Sequence, residues 1–167
     1  MSFRLATPAD VPALHALIER AYRGEAARGG WTHEADLLGG QRTDPQALAE
    51  MLADPAQAVL VTGDPIAGCV ALHRGEGHAY LGMLTVAPEG QAQGLGRALL
   101  AAAESHAKGW GVERIEMTVI RQRAELIAWY KRRGYALTGE TRPFPMDDPR
   151  FGLPRAPLEF VVLEKRL

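Results

Sequence analysis

The chain has 167 residues, of which 47% are hydrophobic and 23% charged, with a formal net charge of −1. This length fits one domain over residues 1–167 with a real core. The near-neutral charge and scattered basic residues leave no footprint for nucleic acid or an acidic membrane. No stretch approaches the ~18 apolar residues of a membrane span, and residues 1–10 lack the basic-then-apolar pattern of a secretory signal, so a cytoplasmic protein is expected. Cys69, the single cysteine, excludes an internal disulfide and a thiolate metal cluster. Within its apolar run it reads as a buried small hydrophobe rather than a catalytic thiol.

Residues 3–6 alternate apolar with polar, as a short opening strand does. Thr7, Pro8 and Asp10 then mark a helix start: Thr caps, Pro suits the first helical position, and an acid in the first turn complements the helix dipole. Val11, Leu14, Ile18 and Ala21 share one face of that helix. The glycines of residues 24–30 break it. Residues 32–38 predict a short helix ended by Gly39 and Gly40. Asp44 and Pro45 repeat the cap-plus-proline signal before a helix with Leu48, Met51 and Leu52 inward.

The pattern then turns to β type over 58–62, 66–74 and 78–86. The separators Gly63-Asp64-Pro65 and Gly75-Glu76-Gly77 are turn chemistry and predict an antiparallel meander. A glycine-bearing loop leads to a helix over 94–108 whose inner face is Leu95, Ala98, Leu99, Ala102 and His106. A strand over 112–120, a helix over 122–133 and a strand over 135–140 follow. Residues 141–157 are proline-rich and expected to be irregular, and 158–164 form the closing strand. The order is that of a mixed α/β (α+β) domain.

The most informative segment runs from Leu84-Thr85-Val86 through Pro88 to Gln91-Ala92-Gln93-Gly94-Leu95-Gly96-Arg97. A strand closes at a proline, a loop follows, and a helix opens at glycines. The first N–H groups of a helix have no intrahelical partners and the macrodipole makes that end positive, which suits a pyrophosphate. Glycine lets phosphate oxygens approach the main chain; glycines here also serve tight helix packing alone. A Rossmann turn needs a third glycine and a following acid, and a P-loop needs Gly-Lys-Ser/Thr; neither is present.

The run Gln91-x-x-Gly94-x-Gly96 resembles the coenzyme A signature of the GNAT acetyltransferases, Arg/Gln-x-x-Gly-x-Gly/Ala. A second segment, Arg123-Ala124-Glu125-Leu126-Ile127-Ala128-Trp129-Tyr130 with Gly134-Tyr135, is similar to the family's Asn-x-x-Ala-x-x-Leu-Tyr-x-x-x-Gly-Phe. The resemblance implies a single domain built on a mostly antiparallel sheet of about seven strands with helices on both faces. It implies that Leu84, Thr85 and Val86 line the pantetheine arm, in the manner of an added strand. Gln91, Ala92, Gln93, Gly94, Leu95, Gly96 and Arg97 would cradle the phosphates, with Arg97 compensating for the charge that Gln91 lacks where many members carry Arg. Arg123 stands at the family's Asn position and would meet a phosphate in place of the amide contact. Leu126 replaces the family's alanine with a bulkier side chain.

The implied reaction is transfer of an acetyl group from acetyl-CoA to an amine by direct attack on the thioester, with no metal. It expels a thiolate whose conjugate acid has a pKa of about 8.5. Tyr130 sits at the family's position for a general acid that protonates it; the bland reading is a tyrosine packing helix on sheet. A lysine-like amine has a pKa near 10.4 and must lose a proton first, for which Glu34 and His78 are candidates, His78 also reading as a solvated turn residue. The resemblance places the acceptor pocket around Trp31 and Phe144 as apolar walls. There Glu34 or Asp36 suits a cationic amine, and Arg42 suits a carboxylate instead. The acceptor is a small-molecule or peptide amine, and the protein a monomer or homodimer. The alternatives are a catalytically inactive acyl-CoA-binding sensor or interaction module, a protein binding ATP or NAD at the glycine turn, and a partner protein dimerising through an exposed last strand.

Overall fold

The computed structural model describes residues 2–22, 44–87, 94–143 and 159–167. The short strand β1 (Arg4–Leu5) leads through a 3₁₀ turn (Pro8–Asp10) into α1 (Val11–Tyr22). Then α2 (Pro45–Ala53) precedes β2 (Gln57–Thr62), β3 (Gly68–Arg74) and β4 (His78–Val86). The chain continues as α3 (Leu95–Gly109), β5 (Arg114–Ile120), α4 (Ala124–Arg132), β6 (Ala136–Pro143) and β7 (Glu159–Arg166). The strands form one seven-stranded sheet in the order β1-β2-β3-β4-β5-β7-β6. Every neighbouring pair is antiparallel except β4 with β5. Among the described residues no helix is long and apolar enough to cross a membrane.

Local chemistry starts the first helices where the sequence marks them. The Asp44 carboxylate accepts from the Ala47 N–H at 2.7 Å, with Pro45 in the first helical turn. Asp10 accepts from the Thr7 N–H at 2.8 Å, and both ends of the Arg4 guanidinium grip it at 2.8 and 2.9 Å. The Arg4 contact first, and the Thr7 amide second, hold the Asp10 carboxyl well below the usual carboxylate range.

Each sheet face buries its own apolar cluster. On one face, α3 and α4 bring Leu99, Leu100, Ala103, Ala107 and Tyr130 onto Leu72, Leu81, Ile115, Met117 and Leu163. On the other, α1 and α2 bring Leu14, Leu17, Ile18 and Leu48 onto Val59, Val61, Cys69 and Ala71. Full burial of one such Leu or Ile contributes about 2 kcal/mol. Cys69 is among the fully buried side chains, in keeping with its apolar run.

Several details differ from the sequence expectation. The buried arc of α3 is Leu99, Leu100, Ala103 and Ala107, whereas Leu95, Ala98, Ala102 and His106 are only partly buried. The run Ala101-Ala102-Ala103 makes neighbouring helical arcs equally apolar, so periodicity does not fix the rotation about the axis. The helix expected from residue 122 starts at Ala124, because Arg123 is spent in a turn whose N–H donates to the Ile120 carbonyl at 2.9 Å. Residues 141–143 were expected to be irregular and are strand: Thr141, Arg142 and Pro143 pair with Val161, Phe160 and Glu159. Pro143 is tolerated because β6 is an edge strand. The last strand, β7, is not an exposed edge; it is paired on both sides, by β5 and β6. The expected helix over 32–38 lies outside the described residues.

Candidate active site at the fork between β4 and β5

β4 and β5 run parallel and are laddered only at His78, Ala79 and Tyr80 against Arg114, Ile115 and Glu116. Beyond Tyr80, β4 continues to Val86 beside β3 alone, while β5 continues to Ile120 beside β7 alone. The sheet therefore opens as a wedge toward the C-terminal ends of its two parallel strands. Ligands of open α/β sheets gather at such a place, where the helices that follow the strands begin. Here α3 follows β4 and α4 follows β5.

A bulge in β4 accompanies the opening. Cys69 faces Thr85 and Ala71 faces Gly82, so β4 holds one residue more than β3 between these pairs. Met83, within it, has a positive φ of 54°, a strained conformation for a side-chain-bearing residue that bulges concentrate near functional sites. The Met83 carbonyl accepts from the Thr85 hydroxyl at 2.9 Å and from the Cys69 thiol at 3.6 Å. At the closed end of the wedge the Tyr80 and Thr118 hydroxyls share a hydrogen bond of 2.5 Å. It joins the two strands just past their last ladder pair.

Of the residues that the sequence associates with the pantetheine arm, Leu84 is half-buried and Thr85 and Val86 are buried, all on the stretch of β4 that has no strand on its β5 side among the described residues. Gln91, Ala92 and Gln93 lie outside the described residues. Gly94 caps α3 with φ 77°, a left-handed conformation that favours glycine, and no side chain caps the helix. A Cβ built on Gly94 meets no described atom within 4 Å, so the described residues leave space beside the turn. One on Gly96 would stand 3.6 Å from Val86 Cγ2 and 3.8 Å from Trp129 Cζ2. The two sequence motifs thus meet here: the end of β4, the first turn of α3 and the Trp129 indole of α4 are in mutual reach.

Arg97 is exposed in the first turn of α3, and Arg123 is buried at the start of α4. Tyr130 is 5% exposed, in the same apolar cluster as Val86, Met117 and Val119 from the two arms of the wedge. Its ring stands edge-on to Trp129 and to Tyr135, with centroids 5.1 and 5.8 Å away. The Tyr135 N–H donates to the Tyr130 carbonyl at 3.2 Å, and the Tyr135 phenol donates to Glu104 Oε2 of α3 at 2.8 Å. Lys165 Nζ donates to the same carboxylate at 3.2 Å. Burial first, then Glu104, push the Tyr135 phenol far above its usual range, so it stays protonated. This Tyr135–Glu104–Lys165 group was missed in the sequence. Its members are far apart in the chain, and the signal was a tyrosine where the resembled motif has phenylalanine.

His78 lies at the laddered end of β4, with its ring Nδ1 3.0 Å from the Glu76 carbonyl. Thr85 lies seven positions further along, about 23 Å in an extended strand. The other base candidate, Glu34, and the acceptor candidates Trp31, Asp36, Arg42 and Phe144 lie outside the described residues.

No curated protein matches the chain. Solved structures match its fold. The ribosomal-protein-S18-alanine N-acetyltransferase of Escherichia coli superposes with a TM-score of 0.73 at 18% identity, covering 99% of this chain and 92% of that one. A ribosomal-protein-alanine N-acetyltransferase of Brucella melitensis gives 0.72 at 22% identity, with both chains fully covered. The PaiA N-acetyltransferase of Thermoplasma acidophilum, solved in complex with coenzyme A, gives 0.68 at 18% identity, again over the whole of both chains. The sequence model of the acetyltransferase (GNAT) family matches residues 13–135, which span both motifs, the wedge and Tyr130, and the chain belongs to that family.

Proposed function

We propose that the protein is an N-acetyltransferase that transfers the acetyl group of acetyl-CoA to the amine of a small molecule or peptide. The observation that carries this reading is the wedge itself. Two parallel strands part, two helices start at its open end, and Tyr130 is packed in the cluster that both strands share. Bound acetyl-CoA supplies an activated thioester. The residues present fit it: Gly94 leaves open space at a helix start for a pyrophosphate, and the part of β4 holding Leu84, Thr85 and Val86 has no strand on its β5 side to displace. Gln91, Ala92, Gln93, Leu95 and Gly96 complete the phosphate turn, and Arg123 contributes a guanidinium from α4.

Tyr130 is the general acid in this reading. Its phenol holds a proton for the leaving sulfur, and its ring is fixed by Trp129 and by Tyr135, whose own hydroxyl is committed to Glu104. Trp31, Glu34, Arg42 and Phe144 are the acceptor-side candidates. Because two of the matched structures are of enzymes named for an alanine of a ribosomal protein, peptides beginning with alanine belong in the first acceptor panel beside polyamines and amino acids.

Thermal unfolding with acetyl-CoA, coenzyme A, ATP and NAD tests the cofactor class. A ligand at ~100 times its dissociation constant stabilises the native state by about 2.7 kcal/mol. A shift with the two coenzyme A species alone is expected. No shift with them, or a shift only with ATP or NAD, overturns the reading. Release of free thiol from acetyl-CoA on addition of one amine of the panel then establishes transfer.

A further inference from the structure

Three arginines gather where the end of α4 lies beside the start of α3. The Trp129 indole abuts the first turn of α3 at Gly96. The Arg133 guanidinium lies over that indole, 4.3 Å from its centroid, and Nη1 donates to the Trp129 carbonyl at 3.4 Å. Arg97 follows Gly96 in α3, and Arg132 precedes Arg133; both are exposed. Arg4, Arg114, Arg121 and Arg142 each face a carboxylate. Among the described residues, none of Arg97, Arg132 and Arg133 forms an ion pair. Arg133 Nε is buried and makes no hydrogen bond.

Like charges held together raise the energy of the group and are relieved by a multivalent anion. Burial first, and then the charges of Arg97 and Arg132, weaken the hold of the Arg133 guanidinium on its proton, so each of the two acts electrostatically on Arg133. Coenzyme A carries, besides its pyrophosphate, a separate phosphomonoester on the ribose, with a charge of about −1.5 to −2 at neutral pH as for other phosphomonoesters. One helix start serves the pyrophosphate. The second anion needs its own cations, and arginine's planar fork matches a phosphate better than a lysine does.

We propose that Arg97 and Arg133, braced by Trp129, bind the 3′-phosphate of coenzyme A and make the protein discriminate coenzyme A from its 3′-dephospho form. The inference rests on the coenzyme A reading of the wedge and adds a specificity site to it. Trp129 fixes one face of the Arg133 guanidinium, so little side-chain freedom is lost on binding. Arg97 lies on the neighbouring helix, directly after Gly96.

Titration calorimetry of the full chain with coenzyme A and with 3′-dephospho-coenzyme A tests it. The wild type should bind coenzyme A about tenfold more tightly or better, as expected for charge-assisted hydrogen bonds. Arg97→Gln and Arg133→Gln should each compress that ratio toward one; Arg97→Gln, which also takes a charge from the pyrophosphate turn, weakens both ligands but coenzyme A by more. Arg133 packs on an indole, so if its variant unfolds, Arg97→Gln carries the test from an exposed position. Retained binding of the dephospho form reports an intact wedge. Equal affinities for the two ligands in the wild type, or an unchanged ratio in Arg97→Gln, overturn the phosphate site and leave the coenzyme A reading standing. Binding of neither ligand overturns both.

Discussion

The two ends of β4 are one strand with different neighbours. Residues 78–80 are flanked by β3 and β5, while residues 81–86 keep only β3. The flanked end is closed by backbone ladders and by the Tyr80–Thr118 hydroxyl pair. The open end leads to Gly94, the first turn of α3, the Trp129 indole, Arg97 and Arg133. Both ends are rich in apolar residues, so composition does not separate them. A strand that loses a neighbour exposes main chain in the middle of a sheet, and in the proposed reading this makes the open end the binding place and the closed end scaffold.

The contrast can be broken most directly at the open end. Gly94→Glu forces a side chain into a left-handed cap and brings a negative charge to the phosphate turn. Coenzyme A affinity should fall about 100-fold or more, given the 1–3 kcal/mol cost of such a backbone with charge repulsion added. Calorimetry giving wild-type affinity would remove the turn from the site. Next, Tyr130→Phe should lower kcat for acetyl transfer about 100-fold, within the usual range for a general acid, with acetyl-CoA affinity nearly unchanged. Equal turnover would leave Tyr130 a core aromatic only.

At the closed end, the effects should appear in stability rather than in catalysis. Thr118→Val deletes one partner of the hydroxyl pair and should cost about 1 kcal/mol in urea unfolding, with coenzyme A affinity unaltered. A large loss of affinity without destabilisation would make the fork base part of the ligand site. Smallest of all is His78→Ala. Its turnover and the pH profile of kcat/KM should match the wild type, because the histidine sits at the laddered end beside Glu76. A lost acidic limb in that profile would restore His78 as a candidate base.

Much of this was legible in the sequence. Thr7-Pro8 and Asp44-Pro45 marked helix starts because capping is settled within one turn of chain. The meander of β2, β3 and β4 followed from Gly63-Asp64-Pro65 and Gly75-Glu76-Gly77, since short turns leave adjacent strands little choice but to pair. Gln91, Gly94 and Gly96, then Trp129, Tyr130 and Gly134, pointed to the family. The rotation of α3 was not legible, because an alanine run blurs its apolar stripe. Nor was the strand character of residues 141–143, whose proline and polar residues read as loop until β7 supplied the ladder.

The sequence alone determined most of the kinds and the order of the described elements, and it singled out the Gly94-Leu95-Gly96 helix start with Tyr130 downstream, all of which are written in contacts a few residues apart. Only the tertiary structure decided that β7 enters between β5 and β6, that β4 and β5 part after three ladder pairs, and that Arg133 stacks beside the helix that starts at Leu95. These depend on which distant segments win as neighbours. That competition is settled by burial and ladder hydrogen bonds across the whole sheet, which no local pattern records.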